Sequence, residues 1–196
     1  MKKNIVDVFL AFFVLIIFFF FKIIGIKLSS NICAFIFSKV GPKTKFNKIA
    51  EKNISYVWPT KSKKDVYKII SGMWKNIGRN FGELVHIKSF GSLKKKKLKI
   101  SGVEKLEQTL KKNLKRKKGI IFFSAHFGNW ELGPIAIKHL DLEPLCLYRK
   151  SNNRLIELII QSIRSHNGSY APKGDIGAKK SFLWLRQGKS LALLMD

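Results

Sequence analysis

Within "FFSAHFGNWELG" (residues 122–133) a histidine, His126, stands five residues before a carboxylate, Glu131. A histidine oriented by a carboxylate is a general base: the acid fixes the ring tautomer and stabilises the imidazolium as it forms. Such a pair suits removal of a proton from a hydroxyl that attacks a carbonyl. Ser124 does not sit in the G-x-S-x-G turn that arms a serine nucleophile. Direct attack by an acceptor hydroxyl on an activated acyl group is therefore simpler than a covalent intermediate. Backbone N–H groups at Gly128 and Asn129, close to a helix start, are candidates for holding the oxyanion. The spacing alone leaves a bland alternative open, because a histidine after a strand is often only a hydrogen-bonded structural residue.

The flanking pattern says what positions this pair. From Gly119 the chain alternates short apolar runs with helical periods: "IIFFS", a helix in "ELGPIAIKHL", a strand over 145–148, and a helix over about 153–165 capped by Asn152. A further helix capped by Asp175 and running through Gln187, stopped by Gly188, leads to a strand in "SLALLMD". This alternation predicts an α/β fold with a mostly parallel or mixed sheet flanked by helices. His126, Arg149 and Asp196 then follow three strands, at the edge where open α/β sheets form their sites. Upstream, Val66, Ile70, Met73, Ile77, Phe81 and Leu84 mark a helix over 62–87, whose Gly72, Gly78 and Gly82 allow another element to pack closely. Residues 88–99 read as a basic loop and 103–116 as a charged helix.

The N-terminus carries fourteen uninterrupted apolar residues, "VFLAFFVLIIFFFF" (8–21). A helix over 8–26 would be about 28 Å long at about 1.5 Å per residue, close to the hydrocarbon thickness of a bilayer. No small-residue cleavage site follows, so a retained membrane-anchoring helix is expected rather than a signal peptide. Lysines after the run slightly outnumber those before it, which favours a cytoplasmic body. The predicted organisation is an anchor over 1–28, a helical basic part over 29–116 and an α/β core over 117–196. The whole chain has 38 Lys+Arg against 12 Asp+Glu, a formal net charge of +26. Such a surface favours anionic partners, although a lysine-rich composition also contributes solvated background. Cys33 and Cys146 lie in apolar surroundings, as buried thiols do, and no Cys/His cluster has metal-ligand spacing.

Several blocks together carry a family resemblance. "IIFFSAHFGNWELG", "YRKSNNRLIELIIQSIRSHNG" and "GAKKSFLWLRQGKSLALLMD" resemble, in order, three blocks of the bacterial lipid A (Kdo-dependent) lauroyl/myristoyl acyltransferases. "NISYVWPTKSKKD" and "ISGVEKLE" fit landmarks upstream, so the resemblance spans roughly residues 40–196. It implies a glycerolipid-acyltransferase-like fold in the inner membrane of a Gram-negative cell. His126 resembles the catalytic base and Glu131 its dyad partner; Arg149, Asn153, Arg164 and Asp196 match further motif positions, taken as substrate-binding. The implied reaction moves a fatty acyl chain from acyl-acyl carrier protein to a hydroxyl of a lipid A precursor, with no cofactor and no metal. Lys150 replaces a common proline. Family members continue beyond the third-block aspartate, so the sequence is expected to be part of a longer protein. Another phospholipid or glycolipid acyltransferase of the same fold is the nearer alternative. A membrane-tethered basic nucleic-acid-binding protein is the more distant one; no nucleic acid is expected, since no reading motif is present.

Overall fold

The structure, a computed structural model, describes residues 2–90, 98–115 and 118–195. The basic segment expected over 88–99 falls mostly outside these residues, as does Asp196. Two compact units are formed, one from residues 18–86 and the other from residues 1–17 and 87–196.

The first helix, α1 (Lys2–Ile24), is apolar on nearly every face. By length and composition its residues Asn4–Ile24 can cross a bilayer, which fits a membrane anchor. Gly25, at φ 80°, ends it, and α2 (Ile26–Val40) begins at the next residue.

In the unit over 18–86, α2 packs against α4 (Lys63–Glu83), with α3 (Lys45–Val57) alongside α4. Ser62 caps α4 by accepting the Asp65 N–H. The expected helix over 62–87 thus stops four residues early and continues as a 3₁₀ turn to Ser89. Two of its three glycines make the close approach. A Cβ on Gly78 would lie 2.3 Å from the Cys33 carbonyl oxygen, and one on Gly82 2.4 Å from that of Ser29. The buried Ser29 hydroxyl donates to the Gly82 carbonyl at 2.9 Å across the same seam. Burial pushes the Cys33 thiol, on the opposite wall, up to about 11. Phe81 gathers the rings of Phe18, Phe21 and Phe37 at 5.6–6.3 Å.

Gly72 differs, because its Cβ position meets nothing within 4 Å. Gly72→Ala is therefore expected to stabilise, by up to about 1 kcal/mol of helix propensity. Gly78→Ala gains the same propensity but pushes α2 away, and overpacking typically costs about 1–3 kcal/mol. Thermal unfolding of the two variants should move in opposite directions.

The second unit holds a four-stranded, all-parallel sheet in the order β1-β4-β2-β3. Its strands are β1 (Ile120–Ser124), β2 (Pro144–Tyr148), β3 (Ser169–Pro172) and β4 (Ser190–Leu194). The helices α5 (Val103–Lys115), α6 (Leu132–Lys138), α7 (Arg154–Arg164) and α8 (Asp175–Arg186) complete it. The expected α/β fold with helices flanking a parallel sheet is therefore present. Successive side chains of a strand point to opposite faces. Ile120, Phe122 and Ala192 accordingly join Leu110, Ile137 and Leu142 in one apolar layer with α5 and α6. Leu145, Ala171 and Leu191 join Trp184 and Leu185 of α8 in the other. The β1-to-β2 and β3-to-β4 connections run in opposite directions across the sheet. Crossovers of one hand then place α6 and α8 on opposite faces.

The strand β3 was not anticipated: Gly168 reads as a helix stop and Asp175 as the next cap, with nothing between. "SYAP" is only four residues long and weakly apolar. Its stability comes from pairing, Leu145 with Ser169 through Tyr148 with Pro172. As an edge strand it tolerates a terminal proline. Two boundaries also shift by one residue. Asn153, not Asn152, caps α7, and Asp175 is the first residue of α8, after Gly174.

Candidate active site

The loop after β1 is set by local backbone bonds. The Phe127 N–H donates to the Ala125 carbonyl at 2.7 Å, which turns the chain as it leaves the strand. Gly128 follows at φ 47°, in the left-handed region that glycine occupies without strain. The Asn129 side-chain oxygen then accepts the Glu131 N–H at 3.1 Å, and the Leu132 N–H donates to the Asn129 carbonyl at 3.1 Å, starting α6. This turn leaves His126 exposed at the mouth of a cleft and carries Glu131 to its floor, where it is 7% exposed. The His126 ring meets the Trp130 ring edge-on, with centroids 4.8 Å apart.

The cleft has a volume of about 590 Å³, within the range of ligand sites. It opens at the carboxyl edge of the sheet. Residues from the ends of β1, β2, β3 and β4 line it, among them His126, Arg149, Lys173 and Leu194. Its inner wall is apolar, with Phe122, Ile137, Leu147 and Leu193. Acidic, basic and oily surfaces thus meet in one hollow. Such a site suits an amphiphile with a charged head.

On the floor, the Glu131 carboxylate is held at both oxygens by Arg164, the last residue of α7: Nε donates at 3.0 Å to one and Nη2 to the other. The guanidinium lies beside two aromatic rings that meet edge-on, 5.9 Å from the centre of Tyr148 and 5.7 Å from that of Tyr170. Its delocalised, planar charge suits contact with aromatic rings better than an ammonium does. Burial alone would lower the Arg164 pKa, but the hydrogen bonds and charge of Glu131 raise it above its ordinary value. Behind Arg164 lies a smaller hollow of about 260 Å³, walled by Tyr148, Gln161, Ser165 and Tyr170.

A second carboxylate braces this wall. The buried Glu157 of α7 accepts hydrogen bonds from the Tyr148 hydroxyl, from the Ser151 N–H at 2.7 Å and from the Gln161 amide at 2.7 Å. Burial works to raise its pKa, yet these donors and the charge of Lys150 hold it below the usual carboxylate range. Burial, then the bond to Glu157, raises Tyr148. Cys146, a free thiol on the floor, is pushed up to about 12, mainly by burial and then by Glu131, so it stays protonated. Tyr170 is raised by burial and by the neighbouring Cys146 and Glu131. Its hydroxyl has no hydrogen-bond partner among the described residues.

The residues singled out from sequence divide accordingly. His126, Glu131, Arg149 and Arg164 share the cleft. The Arg164 fork, which the resemblance leaves for a substrate, is engaged by Glu131. Asn153 is elsewhere: its side-chain oxygen caps α7 by accepting from Leu155 and Ile156, and its amide donates to the Asp7 carbonyl of α1 at 2.9 Å. Both ends of the amide therefore serve structure. Asn153→Ala is expected to cost about 0.5–2 kcal/mol, the usual loss at a helix cap, and Asn153→Ser to recover most of it. Thermal unfolding of both variants checks this. Asp196 lies outside the described residues.

Glu157, Tyr170 and Lys173 escaped the sequence reading. Glu157 looks like an ordinary helix-start acid, and the other two hang on the unanticipated β3. Among the described residues no three His, Cys, Asp or Glu side chains are grouped to hold a metal ion.

Comparison with protein families matches residues 2–196 to the family described as bacterial lipid A biosynthesis acyltransferase. Comparison with curated proteins found no match.

Proposed function

The chain belongs to the bacterial lipid A biosynthesis acyltransferase family, and from that premise we propose that it transfers a fatty acyl chain from acyl-acyl carrier protein to a hydroxyl of a lipid A precursor. The observation that carries this reading is the cleft itself. An exposed histidine stands at its mouth, a buried carboxylate at its floor, and an apolar wall beside them.

In the proposed reaction His126 takes the proton of the acceptor hydroxyl as its oxygen attacks the thioester carbonyl. The tetrahedral intermediate collapses with loss of the carrier thiol, which receives the proton back from the imidazolium. Oxygen–carbon bond formation and carbon–sulfur bond cleavage balance, and no cofactor or metal enters. Glu131 supplies the cleft carboxylate that favours the imidazolium, its charge offset in part by Arg164. Arg164 is a positioning residue, since it holds Glu131. Arg149 and Lys173, both exposed on the cleft's rim, are the cations free to meet phosphate of the donor arm or of the lipid head. The apolar wall receives the acyl chain. The protein acts at the inner membrane with this unit facing the cytoplasm, where its basic surface meets an acidic carrier protein.

The test supplies membranes bearing the complete protein with radiolabelled acyl-acyl carrier protein and, in separate reactions, a lipid A precursor or glycerol phosphate. Label is expected in the lipid A precursor. Label appearing only in the glycerophosphate product would overturn the acceptor assignment.

A further inference from the structure

The helix α3 turns an unusual face outward. At 100° per residue, Phe46, Ile49, Tyr56 and Val57 fall within one arc of about 100°, interrupted only by the exposed Asn53. They are 58%, 53%, 88% and 60% exposed. Trp58, just beyond the helix end, is a further 48% exposed. Apolar side chains clustered this way on one helix mark a surface that meets something other than water. The neighbouring arc, with Asn47 buried and Ala50 and Ile54 half-buried, is the one that packs inward. There the buried Asn47 accepts the Trp74 indole N–H of α4 at 2.9 Å and donates to Glu51 at 2.7 Å.

On the other side of the apolar arc, and facing away from the packed one, runs a third, formed by Lys45, Lys48 and Lys52, all exposed. The one carboxylate of the helix, Glu51, is occupied by Asn47. Lys45 lies 5.6 Å from the centre of the Phe46 ring, and Lys61 5.3 Å from that of Trp58. Aromatic rings with adjoining lysines are the chemistry of the water–lipid boundary: the rings sit at headgroup depth and the ammonium groups meet lipid phosphates.

We propose that α3 lies flat in the surface of an anionic bilayer, with Phe46, Ile49, Tyr56 and Val57 in the acyl boundary and Lys45, Lys48 and Lys52 on the headgroups. Charge selects this occupant, since a cationic rim beside an apolar arc matches acidic lipid. The same unit carries further exposed apolar side chains, Phe19, Phe20 and Ile23 on the last turns of α1 and Phe35 and Ile36 on α2. The proposal rests on α1 being a membrane anchor, because that brings a bilayer to this unit, but it assigns α3 a separate contact. Two attachments would restrain the unit's rotation about α1 in a way that a lone spanning helix cannot.

The experiment uses the full chain reconstituted in vesicles of equal parts phosphatidylcholine and phosphatidylglycerol. An environment-sensitive thiol dye is placed singly through Phe46→Cys, Ile49→Cys, Tyr56→Cys, Lys48→Cys or Lys52→Cys. Cys33 and Cys146 are buried and stay protonated, so they react slowly. Spin-labelled acyl chains are expected to quench the first three dyes several-fold more strongly than the last two. Combining Lys45→Glu, Lys48→Glu and Lys52→Glu should remove that quenching at position 56 without releasing the chain from the vesicles. Dyes that all stay open to aqueous iodide on chains that float with the vesicles would overturn the α3 contact and leave the anchor standing. Protection from both quenchers would overturn it in favour of a covering protein surface. Chains that fail to float would remove the anchor reading and this proposal together.

Discussion

His126→Ala is expected to lower acyl transfer by about 10²–10⁴-fold, the usual worth of a positioned general base. The fold should survive. His126 is exposed, and among its contacts is an edge-on one with the Trp130 ring, an arrangement worth about 0.5–1.5 kcal/mol. A second variant separates chemistry from packing. His126→Phe keeps an aromatic edge against Trp130 but has no nitrogen to take a proton. If the histidine acts as a base, both variants lose activity equally, and only His126→Ala loses a little stability. Activity restored by phenylalanine would show that the ring merely orders the loop. Steady-state acyl transfer and thermal unfolding, measured on both variants of the complete protein, decide it.

The second large effect is expected at the Glu131–Arg164 pair. Both side chains are largely removed from water, 8% and 20% exposed respectively. Removing one partner of a buried pair strands the other charge and typically costs about 3–5 kcal/mol. Arg164→Met is therefore expected to destabilise strongly, because Glu131 remains on the cleft floor without its two donors. Arg164→Lys should lie between, since it keeps the charge and loses the fork and the planar contact with Tyr148 and Tyr170. Glu131→Gln with Arg164→Met removes both charges, so the double variant should cost less than the sum of the singles. The double-mutant cycle measures that difference as a coupling of about 0.5–3 kcal/mol. Additive losses would show that the pair is not energetically joined. Every variant in the series is expected to lose acyl transfer, because each removes the Glu131 carboxylate from the cleft or the fork that fixes it there.

Much of the unit that holds the cleft was legible because its signals are short-range. The apolar runs of β1, β2 and β4, the helical periods between them and the glycines that stop helices are written within a few residues of one another. The loop carrying His126 to the strand end follows from the same local grammar. So does α1, whose run of fourteen apolar residues sits in a helix long and apolar enough to cross a bilayer. What sequence spacing could not carry is pairing at a distance. The short edge strand β3 exists because β2 offers it four hydrogen-bonding partners, and Tyr170 enters the site with it. Gly78 and Gly82 matter, and Gly72 does not, only because α2 crosses α4 at those two turns. Glu131 and Arg164 are 33 residues apart, and which cation reaches that carboxylate depends on where α7 ends against the sheet. Asn153 likewise reads as a substrate-binding position through the family resemblance, and in the folded chain it is a helix cap tied to Asp7. A side chain's type and local setting are fixed by sequence neighbours. Its partner is fixed by whatever the fold brings within about 3 Å, and that distance decided which of the polar residues line the cleft and which hold it together.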